Sequence, residues 1–205
     1  MQKVDLKKEL KHLYNAPTKA PVVIDVPPMN FLLIDGVGDP NTSPAFQAAV
    51  EALYSVAYTL KFSIKKGPLA IDYPVMPLEG LWWMDDMGRF ALGNKDDWKW
   101  TVMLVQPDFM TEDLVKEGVE QVRKKRNLAA LPLLRFERFH EGLCAQIMHL
   151  GPYAAEKPTI ERLHAFIAEQ GASLTGKHHE IYLSDPSRTA PEKMKTVIRQ
   201  PMKRT

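Results

Sequence analysis

Glu180 and Tyr182 are the side chains whose types and spacing point most directly to chemistry. They lie in His178-His179-Glu180-Ile181-Tyr182-Leu183-Ser184-Asp185-Pro186. This reads as a short strand stopped by a proline, which has no N–H to continue a ladder. Strand side chains alternate between faces. His178, Glu180, Tyr182 and Ser184 therefore share one face, and Ile181 and Leu183 share the other, an ordinary core face. An ionised carboxylate among aromatic rings is costly unless its pKa rises or it finds a cation or a donor. Neutral, it donates a hydrogen bond; ionised, it holds a cation or orients water. The bland alternative is a hydrated glutamate on a solvent-facing strand.

Other residues bear on the same chemistry. Tyr153 follows Gly151-Pro152 at the end of a strand and could lean over Glu180. Adjacent strand residues point to opposite sides, so only one of Trp82 and Trp83 joins the core while the other faces a cleft or solvent. Tyr54, Tyr58 and Phe62 recur at four-residue spacing along a helix, as a pocket wall or as plain core packing. Several constellations fail. His178-His179 and His164 form no metal spacing with a carboxylate pair, and the two adjacent histidines read as a solvated loop pair. Ser184 and Cys144 lack the surroundings of an activated nucleophile. Gly36-Val37-Gly38 lacks the third glycine of a dinucleotide loop.

The elements that position these residues are legible from periodicity. A polar leader, 1–27, carries Val4, Leu6, Leu10 and Leu13 as a loose helical face, and Pro17, Pro21, Pro27 and Pro28 interrupt regular structure beyond it. An apolar run over 29–37 predicts a strand buried on both faces. Ser43-Pro44 predicts a serine-capped helix to about residue 66, with Phe46, Val50, Leu53, Ala57, Leu60 and Ile64 as its main stripe. Strands are expected over 78–84 and 98–106, separated by a polar loop, 85–97. An amphipathic helix over 111–127 comes next, then strands over 133–139 and 142–150 that meet in a tight turn at His140-Glu141-Gly142. A helix over 158–170 stops at Gly171. The strand bearing Glu180 and a closing strand, 195–202, complete the chain. The order strand–helix–strand–strand occurs twice, over about 28–106 and 142–202, and Val37-Gly38-Asp39-Pro40 parallels Leu150-Gly151-Pro152-Tyr153. Two such units predict an α+β protein with one mostly antiparallel sheet, helices packed on it and a ligand cleft between the halves.

Composition narrows the function classes. The 205 residues carry 27 basic and 25 acidic side chains, a net charge of +2 that gives no general case for nucleic acid or membrane binding. The one dense basic cluster, Arg123-Lys124-Lys125-Arg126, closes a helix, where cations suit the dipole. A single cysteine excludes an internal disulfide and a cysteine metal site. No signal-like or membrane-spanning stretch is legible, so a cytoplasmic protein without a metal or cofactor is expected. The leader is too short for a helix-turn-helix domain.

Four segments carry a family resemblance: Pro77-Leu78-Glu79-Gly80-Leu81-Trp82-Trp83, His149-Leu150-Gly151-Pro152-Tyr153, Glu180-Ile181-Tyr182-Leu183-Ser184-Asp185-Pro186 and Lys195-Thr196-Val197-Ile198-Arg199-Gln200-Pro201. Together they resemble the GyrI-like small-molecule-binding family, which also supplies effector domains to some AraC-type and MerR-type regulators. The resemblance covers 28–205 and implies the duplicated fold. It further implies that a glutamate at the position of Glu180 sits in an aromatic pocket for planar or cationic drugs. The double tryptophan resembles a stand-alone subgroup, the cyclopropanoid cyclopropyl hydrolases, which open cyclopropane rings of DNA-alkylating natural products in an aromatic cage. That implies Glu180, Tyr182 and Tyr153 as catalytic residues, with Trp82, Trp83, Tyr54 and Tyr58 binding the ligand. Hydrolase and non-catalytic drug binder both stay open, as does the oligomeric state.

Overall fold

A computed structural model describes residues 2–86 and 95–204; most of the polar loop expected over 85–97 lies outside them. In chain order the described elements begin with β1 (Gln2–Lys3), α1 (Leu6–Glu9), α2 (Lys11–Tyr14), β2 (Val22–Val26), β3 (Met29–Val37), α3 (Pro44–Lys66), β4 (Ile71–Asp72) and β5 (Leu78–Trp83). They continue with β6 (Lys99–Gln106), α4 (Glu112–Lys125), β7 (Arg135–Phe139), β8 (Gly142–Leu150), α5 (Lys157–Glu169), β9 (Ala172–Leu174), β10 (His178–Tyr182) and β11 (Lys195–Arg204). The chain is an α+β protein whose main strands pair antiparallel.

Contacts divide these elements into two units. The first holds Met29–Met76 and Trp82–Phe139, with the end of β5 and then β6, β3 and β7 in strand order. Phe31, Leu32, Leu33 and Ile34 are all buried, as a run apolar on both faces requires. Of the expected stripe on α3, Leu53, Ala57, Leu60 and Ile64 are buried, joined by Ala49, Ala52 and Val56, while Phe46 and Val50 are half-buried. Ser43 is not the expected side-chain cap; Pro44 opens the helix, and the Asp39 carbonyl accepts from the amides of Thr42 and Ser43. Thr111 does cap α4, its Oγ1 accepting from the Leu114 amide.

The second unit holds Leu10–Pro28, Pro77–Leu81 and His140–Thr205, with strand order β2-β8-β11-β10-β5. Its core joins Ala145 and Ile147 of β8, Ile198 and Met202 of β11, and Leu163 and Ile167 of α5. β2 departs from the sequence expectation, since the prolines around it were expected only to break structure. Prolines tolerate a strand at a sheet edge, where one row of amides has no partner to lose, and β2 takes such an edge beside β8. Part of the leader is core here too, with Leu13 and Tyr14 buried.

The repeat holds element by element. The first repeat runs β3–α3–β5–β6 and the second β8–α5–β10–β11, and in each the last strand lies between the other two. Gly38 and Gly151 end the matching first strands at φ 112° and 131°. That region is open to glycine and rarely to other residues, so the same sharp exit recurs in both.

Candidate functional site

Register settles which way the side chains of β10 point. Directly opposed residues of antiparallel strands share a face. Glu180 opposes Ile198, which opposes Ile147, and Tyr182 opposes Thr196, which opposes His149. Ile147 and Ile198 pack on α5, so His178, Glu180 and Tyr182 lie on the sheet face that α5 covers. His179 opposes Arg199, which opposes Gln146, on the other face.

On the α5 face, Glu180 is held from both sides. Nε2 of His178 donates to its Oε1 at 2.9 Å, and the Tyr182 hydroxyl donates to its Oε2 at 2.8 Å. The hydrated-glutamate alternative is thereby set aside: the Glu180 side chain is 15% exposed and hydrogen-bonded. The Tyr153 ring meets the Tyr182 ring edge to face at 5.4 Å. Tyr153 sits in the turn that Gly151 makes possible; His149 braces that turn, its ring nitrogens lying 3.0 Å from the Thr159 hydroxyl and 3.2 Å from the Pro152 carbonyl. Sequence reasoning missed one participant. Glu156, just before α5, is buried and lies within hydrogen-bonding reach of Glu180. Its signal was an acid three residues after Tyr153, at a helix start.

The two carboxyls are driven apart in proton affinity. Burial, then the charge of Glu180, pushes Glu156 up to about 9, with Thr196 opposing. Burial alone would raise Glu180 as well, but hydrogen bonds from His178, Tyr182 and Glu156, with the charge of His178, hold it below the usual carboxylate range. Burial and the charges of Glu156, Glu180 and Asp185 push the Tyr153 hydroxyl up to about 12, so at neutral pH it is a donor. The site therefore offers an ionised base, a protonated acid and two phenols.

The opposite face of β10 is not the ordinary core that was expected, and His178 and His179 are not a solvated pair. They are 3% and 1% exposed. His179 Nε2 faces Glu79 Oε2 at 2.9 Å, and its Nδ1 faces Glu141 Oε1 at 2.9 Å. Both ring nitrogens meet acceptors, so both carry hydrogen and the ring is cationic. Glu79 also accepts from the Tyr14 hydroxyl at 2.5 Å. Arg199 donates to Glu141, to Gln146 and to the Leu13 carbonyl. The misreading arose because these partners lie far away in sequence.

The remaining expected site residues belong to the first unit. Trp82 is buried, stacked on Phe46 at 5.8 Å and edge-on to Trp98 at 5.8 Å, while Trp83 is half-buried. Tyr54 stacks on Tyr58 and Tyr58 on Phe62, with Tyr58 and Phe62 exposed. Among the described residues no helix is long and apolar enough to cross a membrane.

Residues 19–203 match the model of the GyrI-like small molecule binding domain. A structure described as an uncharacterized conserved protein from Listeria innocua is 44% identical with a TM-score of 0.90, covering 98% of this chain and 100% of that one. A second from Listeria innocua, described as a hydrolase, is 42% identical with a TM-score of 0.85 at the same coverage. The EcmrR C-terminal domain, 13% identical with a TM-score of 0.55, covers 90% of this chain and 98% of its own and shares the fold. No curated protein matches.

Proposed function

The chain belongs to the GyrI-like small-molecule-binding domain family, and from that premise we propose that it binds planar, hydrophobic or cationic small molecules at Glu180 and opens the cyclopropane ring of DNA-alkylating cyclopropanoids with water. The observation that carries this is Glu180 itself: a largely buried carboxylate, kept ionised by His178 and Tyr182 on a rigid strand, beside the Tyr153 and Tyr182 rings. The 42% identity to a protein described as a hydrolase supports the catalytic half.

The chemistry asks little of the protein. Glu180 takes a proton from water as the water oxygen bonds to a cyclopropane carbon. The strained C–C bond breaks, and its electron pair runs into the conjugated carbonyl. The Tyr153 hydroxyl donates a hydrogen bond to the developing oxyanion, which then takes up a proton, so the sum is addition of one water. Glu180→Gln keeps the shape and much of the hydrogen bonding, so folding and neutral-ligand binding should persist while turnover falls by about 100- to 10,000-fold. Tyr182→Phe keeps the ring and frees Glu180 of one donor, so turnover should fall with little change in binding. Binding is read by tryptophan fluorescence and the water adduct by mass spectrometry. Full activity in Glu180→Gln removes Glu180 from the mechanism.

The ionised state of Glu180 also favours a second reading, a non-catalytic binder that sequesters cations. Unchanged cyclopropanoid at saturating protein, with loss of cation binding in Glu180→Gln, would select it.

A further inference from the structure

Glu156 has no structural duty that explains its burial. Its carbonyl accepts from the amides of Thr159 and Ile160, as a residue at a helix start does. Its side chain makes no cap bond, the residue is 5% exposed, and its Oε1 is buried without a donor. A buried acceptor left unmatched is expensive. The side chain reaches Glu180. Two carboxylates are acceptors only and repel; with one proton between them, one becomes a donor and the repulsion ends.

We propose that the Glu156–Glu180 pair is a proton-for-cation exchange site: a planar organic cation bound against Glu180 displaces the proton held between the two carboxyls, whereas a neutral planar electrophile leaves it in place. This rests on the small-molecule reading of Glu180 and names its ligand classes by charge. A cation beside the pair supplies the charge that lets both carboxyls ionise. One positive charge enters and one proton leaves, so the net charge of the buried site is unchanged. Glu180, the more exposed of the two, meets the ligand, and Glu156 acts through it. The other titratable groups facing the pair are His178 and Tyr182 on β10 and Tyr153 in the turn, with Asp185 near Tyr153 and His164 of α5 near His178. Thr196 of β11 faces Glu156 and does not titrate.

Calorimetric titration with ethidium as the cation and acridine as the neutral probe, each in phosphate and in Tris near neutral pH, tests the exchange. Ethidium should release close to one proton per molecule bound and acridine none. Ethidium affinity should rise by up to about tenfold per pH unit and level off above about 9. Glu156→Gln keeps the shape and a donor toward Glu180 but has no proton to give; it should abolish both the release and the pH slope while acridine still binds. Ethidium binding with no buffer-dependent heat overturns the proposal, as does proton release that survives in Glu156→Gln. Binding of neither probe overturns the small-molecule reading itself, and the exchange with it. Should Glu156→Gln fail to fold, the wild-type heats and pH slope decide alone.

Discussion

Deprotonating His179 should cost the fold about 3 kcal/mol between pH 6.5 and about 9. Burial alone would lower its pKa. The charge of Glu141, with hydrogen bonds to Glu141 and Glu79, outweighs burial and raises it from 6.5 to about 9. A group whose folded value is raised stabilises fully below its unfolded value, and that stability is lost as pH climbs through the folded one. The difference is about 2.5 pH units, at about 1.36 kcal/mol each. For a chain of this size that is a fall of about 6–12 °C in Tm. Glu156, also raised to about 9, binds an extra proton in the folded state and would add a loss over the same window. The measurement therefore belongs in Glu156→Gln, by thermal melts from pH 6 to 10, with the His179 ring followed by NMR. Stability flat across that window, or a ring that titrates near 6.5, would refute the claim that two buried carboxyls hold an imidazolium.

Tyr14→Phe removes the donor 2.5 Å from a carboxyl that is 0% exposed; thermal melts should show a loss of about 1.5–3 kcal/mol, with faster amide exchange in α2. Gly36→Ala would place a Cβ 2.1 Å from Cη2 of Trp100, a residue 1% exposed. Denaturant unfolding should show a loss of about 1–3 kcal/mol, and wild-type stability would mean that Trp100 can swing away.

The features legible in the sequence were local. The runs that became β3, α3, α4, β8, α5 and β11 declare themselves by periodicity, and Gly38 and Gly151 mark the repeat. The face of Glu180 and Tyr182 came from alternation alone. The features that stayed hidden depended on distant partners. His179 looks like half of a polar pair until Glu79, 100 residues away, and Glu141, 38 residues away, close on its ring. Glu156 looks like an ordinary first-turn acid until the sheet places Glu180 against it. β2 was hidden because Pro21, Pro27 and Pro28 flank it, and proline disfavours strands except at edges, where β2 lies.

The two faces of β10 explain one another. A slip of one residue in a strand exchanges its faces. It would turn His179 toward the α5 side and drive Glu180 among Glu79 and Glu141, stacking three carboxylates with only Arg199 to offset them. An apolar far face would tolerate such a slip at little cost. The buried set of His179, Glu79, Glu141 and Arg199 does not, because its bonds depend on register: His179 lies opposite Arg199 of β11 and both bond Glu141, and Arg199 donates to Gln146, its opposite residue on β8. Buried ion pairs add little net stability over apolar packing, but breaking one costs several kcal/mol. That asymmetry penalises the wrong register far more than it rewards the right one. Glu180, Tyr182 and His178 inherit the precision, because the strand that carries them can be seated in only one way.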